Sequence, residues 1–295
     1  MGQRHLENED YRWLVDALGG VGDGSMQRML ARPHGRAPEL FLPLGSRAAG
    51  AAALRRFHDG RSSKDLAKTA AAITLARLGI LRLAPGEPVD VPPFRFVERI
   101  ATELGEDDLQ LAITLGPRRR NRKPVLQLIR PTGETVGFAK VGWSPFTRDL
   151  VENEARWLQR LTGALPEEIR DPSVLNRNHE DDRIVVVTTA LETAPRAGPS
   201  GRPSSRTIAR LARAFGTDRT PVADLPSLDE WRTGAVGELI DIDRLLERHG
   251  ATEIEVGIWH GDLTPWNTST TGGVSQIWDW EFADGDRPVG FDLLH

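Results

Sequence analysis

Residues 260–267 read HGDLTPWN, and after the turn TTGG (270–273) residues 277–282 read IWDWEF. Apolar, strand-forming stretches flank this loop: Ile254–Trp259 before it and Val274–Trp280 after the turn. The layout predicts a hairpin, with Asp262 and Asn267 on one loop and Asp279 on the returning strand. His260, Asp262, Asn267 and Asp279 are thereby carried to one end.

Those side chains match the needs of phosphoryl transfer. One carboxylate must hold an acceptor hydroxyl and take its proton late; an amide oxygen and a second carboxylate must hold the hard, oxygen-seeking Mg²⁺ that bridges the phosphates. Asp262 is expected as base and orienter, Asn267 and Asp279 as metal ligands. His260 is expected to pack and bond backbone carbonyls. Of the nearby tryptophans Trp259, Trp266, Trp278 and Trp280, most are expected in the core, though Trp266 could face the cleft.

Composition narrows the setting. The chain has 295 residues, 39% hydrophobic and 27% charged, which suits a folded protein with a core. A net charge of -4 gives no basic footprint for nucleic acid or anionic lipid. No apolar run is long enough to span a bilayer, the polar N-terminus is unlike a secretory signal, and there is no Cys for disulfides or thiolate sites. The expectation is a cytoplasmic protein acting on a small molecule, without a nucleic-acid or membrane partner. Of the 38 basic residues only Lys64, Lys68, Lys123 and Lys140 are lysines, so each lysine invites a question.

Three regions are expected: an extension (1–92), a sheet-bearing segment (93–190) and a segment with the catalytic loop (191–295). In the first, Arg47–Phe57 and Ser62–Leu78 read as helices, the second opened by a Ser62/Asp65 capping box. Pro85, Pro88, Pro92 and Pro93 mark a linker. Phe96–Leu104 reads as a helix, and Leu109–Leu115, Val125–Ile129 and Thr135–Val141 as a strand meander. Asp149–Leu161 is a helix with Leu150, Glu154, Trp157, Leu158 and Leu161 on one side, and Ile184–Thr189 is a buried strand. Residues 195–206 read as a flexible loop, and 205–215 and 228–249 as helices, the latter with a Ser227/Glu230 capping box.

HGDLTPWN resembles the catalytic loop of the aminoglycoside phosphotransferase and choline kinase group of the protein-kinase-like fold. IWDWEF followed by GDRPVGFDLL resembles that group's metal-binding strand and trailing Asp-Leu. The resemblance implies an α+β, bilobal fold, with an antiparallel-sheet N-lobe and a mostly helical C-lobe. It implies an ATP- and Mg²⁺-dependent kinase acting on a hydroxyl of an amino sugar, sugar or amino alcohol. Asp262 becomes the catalytic Asp, Asn267 and Asp279 the Mg²⁺ ligands, and Asp292 a brace for the loop. Lys140 in GFAKV sits where the group's strand-three Lys grips the α- and β-phosphates. Its helix partner is Glu154, with Glu152 the competitor; Glu154 shares the side of Leu150, Trp157 and Leu161. The base is expected near Thr189–Leu191. In place of a Gly-rich phosphate loop stands GPRRRNRKP (116–124), which reads either as a cationic cover for the triphosphate or as a solvated basic turn. The group's members continue past the Asp-Leu, so the C-lobe is expected to be incomplete.

Overall fold

The structure is a computed structural model and describes residues 9–32, 38–56, 63–116, 118–191, 203–233 and 241–294. The Ser62/Asp65 capping box, and residues 195–202 of the expected loop, fall outside what it describes. The chain divides into two compact units, one mainly Met1–Ala155 and Pro172–Leu191, the other mainly Arg156–Asp171 and Pro199–His295.

The first unit is an eight-stranded antiparallel sheet. Its strands are β1 (Gln27–Arg32), β2 (Leu40–Pro43), β3 (Glu87–Val91), β4 (Gln110–Leu115), β5 (Pro124–Ile129), β6 (Thr135–Gly142), β8 (Val174–Glu180) and β9 (Arg183–Thr189); β7 belongs to the second unit. The order is β3-β1-β2-β4-β5-β6-β9-β8. Side chains alternate between two buried faces, as a strand's period of two requires. Met29, Phe41, Leu111 and Ile113 face one core, under helices α1 (Glu9–Leu18) and α4 (Arg95–Leu104). Leu30, Leu40, Leu42 and Ala112 face the other, under α2 (Arg47–Arg56) and α3 (Ser63–Arg77). Burying a side chain such as Ile113 contributes roughly 1.5–3 kcal/mol.

Two expectations fail here. The strands β1 and β2 fall in stretches read only as an extension. The proline run read as a linker contains β3, an edge strand, where Pro88 removes no ladder bond the sheet depends on. The meander β4–β6, the strand β9 and the helix α5 (Pro145–Leu161) lie where the sequence predicts them. Helix α5 packs Val151 and Ala155 against Ile184 and Val186.

The second unit holds two three-stranded sheets. One pairs β10 (Asp218–Pro221), β11 (Glu253–Trp259) and β14 (Asp284–Pro288); the other pairs β12 (Thr268–Thr271), β13 (Val274–Ile277) and β7 (Ile169–Arg170). Helices α6 (Ser205–Ala212), α7 (Leu228–Thr233) and α8 (Ile242–His249) accompany them. The single helix expected over 228–249 is not continuous. Asp241 is non-helical (φ -72°, ψ 90°) and its carboxylate accepts the Arg244 N–H, opening α8 as a new helix. The buried Ser227 hydroxyl makes no hydrogen bond among the described residues, so it closes no capping box.

Just past α6, Arg213 clamps Glu255 of β11, with Nε 2.7 Å from Oε1, and Thr217 Oγ1 donates to the same oxygen at 2.8 Å. These donors pull the Glu255 carboxyl down to about 2, the Arg213 bond contributing most. A carboxyl lowered on folding stabilises the fold above its unfolded value of 4.5, and this contribution is lost as pH falls from there towards 2. Glu255→Gln is therefore expected to flatten the acid limb of a thermal-melt series below pH 4.5. The step is small, because the clamp is solvent-screened; an unchanged limb counts against the clamp.

Candidate functional site

Strand β11 ends at Trp259, and the chain turns at once into the loop. His260 is fully buried, and Gly261 follows at φ +83°. A Cβ at Gly261 would sit 2.8 Å from the Phe282 Cβ and collide with the Phe282 carbonyl, so this turn admits only glycine. Asp292, 4% exposed in the turn Phe291–Leu294, grips both residues: Oδ2 accepts the His260 N–H at 2.9 Å and Oδ1 the Gly261 N–H at 3.1 Å. This bracing agrees with the reading of Asp292. Asp292→Asn replaces one accepting oxygen by a donor against a backbone N–H, a loss of about 1–3 kcal/mol for the stranded buried group. A urea denaturation series is expected to read that loss, and a variant as stable as the parent would remove the brace.

His260 is spent structurally. Its Nε2 lies 3.1 Å from Trp278 O, a pure acceptor, so Nε2 carries the proton. Nδ1 then accepts the Asp262 N–H at 3.2 Å. The neutral ring packs on the fully buried Trp280 at a centroid distance of 4.5 Å. Both nitrogens hold backbone, as the sequence reading expected.

Asp262 and Asn267 meet directly. The Asn267 Nδ2 donates to Asp262 Oδ2 at 2.9 Å and to Asp262 O at 3.0 Å. Both partners are acceptors, which turns the amide's N–H side towards Asp262. Two turn bonds shape the loop, Thr264 N to Asp262 O at 2.8 Å and Asn267 N to Thr264 O at 3.0 Å. The β12–β13 hairpin then returns the chain, and Trp278 N donates to Asn267 O at 3.1 Å.

Asp279 departs from its expected place within a strand. The strand β13 stops at Ile277, and Asp279 stands beyond it in the left-handed region, φ 70° and ψ 56°. Asp is one of the few non-glycine residues that tolerate this conformation, and it opens a 3₁₀ turn, Trp280–Phe282. That turn carries a residue the sequence reading missed: Glu281, 3% exposed, with a carboxylate oxygen within 4.8 Å of one from Asp279. Its signal was a carboxylate between two aromatic residues, two positions beyond the expected metal ligand. Trp266 is 51% exposed beside Asn267, unlike Trp280.

In the first unit, Ala139 and Val141 face the core under α1 and α4, so Lys140 points to the opposite face, where α5 packs. Lys140 Nζ lies 2.7 Å from both oxygens of Glu154. The competitor Glu152 pairs with Arg177 instead. Near the position expected for the base, the Thr189 N–H bonds Ser173 O at 2.9 Å, and Leu191 O accepts from Arg56 Nη1 at 3.1 Å. The basic loop is not a solvated turn throughout. Arg122 lies 4.1 Å over the Trp13 ring and Arg120 4.4 Å over Phe146, while Lys123 is buried.

Among the described residues, no helix is long and apolar enough to cross a membrane. No family model and no curated protein sequence matches the chain. Several solved structures are similar to part of it. The GDP complex of wild-type aminoglycoside 2'-phosphotransferase-IIIa matches at 17% identity over 67% of this chain and 75% of its own, with a TM-score of 0.42. A putative fructosamine-3-kinase from Haemophilus somnus 129PT matches at 14% identity over 66% and 71%, with a TM-score of 0.40. A thermostable mutant of aminoglycoside phosphotransferase APH(4)-Ia matches at 14% identity over 65% and 73%, also at 0.40.

Proposed function

We propose that this chain is an ATP-dependent phosphotransferase that passes the γ-phosphoryl group to a hydroxyl of a small molecule such as an amino sugar, sugar or amino alcohol. The observation that carries the reading is the Asp262–Asn267 bond, held in a loop whose backbone Asp292 and His260 secure. A turn that needed only polar caps would not require a buried brace and a fully committed histidine.

In this reading Asp262 receives the acceptor hydroxyl and takes its proton as the new oxygen–phosphorus bond forms. The bond from the γ-phosphorus to the bridging oxygen breaks, and ADP leaves with that electron pair. Asn267 anchors the Asp262 carboxylate by its Nδ2 and so fixes its orientation. Lys140, oriented by Glu154, supplies a compact point charge for nucleotide phosphates. The amide oxygen of Asn267 and the carboxylate of Asp279 are hard oxygen donors of the kind Mg²⁺ prefers, and Glu281 lies near enough to Asp279 to reinforce them. When bound, Mg²⁺ would neutralise charge on the phosphates.

The test is Mg-ATP turnover by the full chain against a panel of hydroxyl compounds. Acceptor-dependent ADP release with a phosphorylated product supports the reading. Mg-ATP binding without transfer to any acceptor would replace it with a nucleotide-binding role.

A further inference from the structure

A cavity of about 360 Å³ lies in the first unit, among residues that the proposed reaction does not use. It is lined by three arginines, Arg28, Arg47 and Arg82, and by no carboxylate; Leu44 and Leu81 give it an apolar side. That volume is at the small end of ligand sites, which run from roughly 300 to 1,000 Å³.

Among the described residues, only one of these three charges has an ion-pair partner. Arg28 is held by Asp90, with Nη1 at 2.9 and 3.2 Å from its two oxygens. Arg47 and Arg82 have no ion pair among the described residues. The Arg47 side chain lies over Gly79, at φ +77°, where a Cβ would come within 2.5 Å of its Nε. The missing side chain at Gly79 is what seats this guanidinium at the cavity wall. The wall also includes the start of α2. Ser46 caps that helix, its Oγ accepting the Ala49 N–H at 3.2 Å and donating to Pro131 O at 2.8 Å.

Two exposed planar guanidinium groups without an ion pair among the described residues, on one small cavity, suit an anion with several acceptor oxygens, because each can bind it by a fork of parallel hydrogen bonds. The apolar side suits a short carbon body attached to that anion. We propose that this cavity binds a small phosphate monoester.

The test is calorimetric titration of the full chain, without nucleotide, using inorganic phosphate and glycerol 3-phosphate as probes. Glycerol 3-phosphate is expected to bind more tightly than inorganic phosphate, because only it uses the apolar side. Arg82→Gln and Arg47→Gln are each expected to weaken it about tenfold, the usual scale of one charge-assisted bond. Affinity should also rise from pH 5 to 7.5, as the phosphate passes its second ionisation near about pH 6, whereas sulfate should show no such rise. Phosphate held by Lys140 is separated by the Lys140→Met/Glu154→Gln variant, which should bind the probe as the parent does. Arg82, an exposed residue in a surface turn, decides the matter if Arg47→Gln fails to fold. No binding by the parent, an unchanged affinity in Arg82→Gln, or lost binding in the Lys140/Glu154 variant would each overturn the assignment.

Discussion

Asp262→Asn is expected to lower kcat by about two orders of magnitude or more, the usual range for losing a positioned base being about 10²–10⁴, while leaving Mg-ATP affinity nearly unchanged. The substitution keeps the side chain's shape and one carbonyl oxygen, so the bond from Asn267 Nδ2 can persist and the loop need not move. What is lost is the charge that attracts the hydroxyl proton. Since the transition state is loose, positioning is retained in part and the residual rate is not zero. Asp279→Asn makes the contrast. Asn also tolerates the left-handed backbone found at Asp279, φ 70°, so the turn survives while a charged metal donor is removed. Nucleotide binding itself should then weaken and depend less on Mg²⁺. Calorimetry with Mg-ATP, alongside transfer to the best acceptor, separates the two variants. Near-normal transfer by Asp262→Asn, or equal loss of Mg-ATP binding in both, would reverse these roles.

Much of this site was legible in the sequence because its spacings are short. Asp262 and Asn267 lie five residues apart on one loop, so local turn chemistry brings these two together with little help from the rest of the chain. The Lys140–Glu154 pair was legible because the resemblance of GFAKV pointed to Lys140 and helical spacing put Glu154, not Glu152, on the side of Leu150, Trp157 and Leu161. Other features depend on partners far away in the chain. Arg122 reads as a solvated charge until Trp13, on helix α1, is seen beneath its guanidinium. The strands β1–β3 are short and bear Arg28, Glu87, Pro88 and Asp90, which suit the edge region of a sheet but break every local strand pattern. Glu281 was missed for a similar reason. An acid between two aromatics looks like a surface residue, and only the 3₁₀ turn after Asp279 buries it.

Lys140→Met is expected to destabilise the first unit by about 3–5 kcal/mol, the usual result of removing one partner of a buried ion pair. A lysine that did no more than reach for phosphates would be partly solvated and nearly neutral for stability. The structure argues otherwise: the Lys140 side chain is 15% exposed and Glu154 only 2%. Without its ammonium, the Glu154 carboxylate is left in the interior between α5 and the sheet, where an uncompensated charge is costly. The penalty therefore belongs mostly to the stranded partner rather than to a lost attraction. That distinction can be measured. Glu154→Gln alone strands the ammonium, which is more exposed and able to reach water, so its loss should be smaller. In the double variant neither charge remains, and stability should return most of the way to the parent's, as replacement of both partners of a buried pair often does. Urea denaturation of the parent, the two single variants and the double variant closes the cycle. Additive losses would mean that the two side chains do not depend on each other, and the buried pair would then lose its place in both the fold and the proposed phosphate grip.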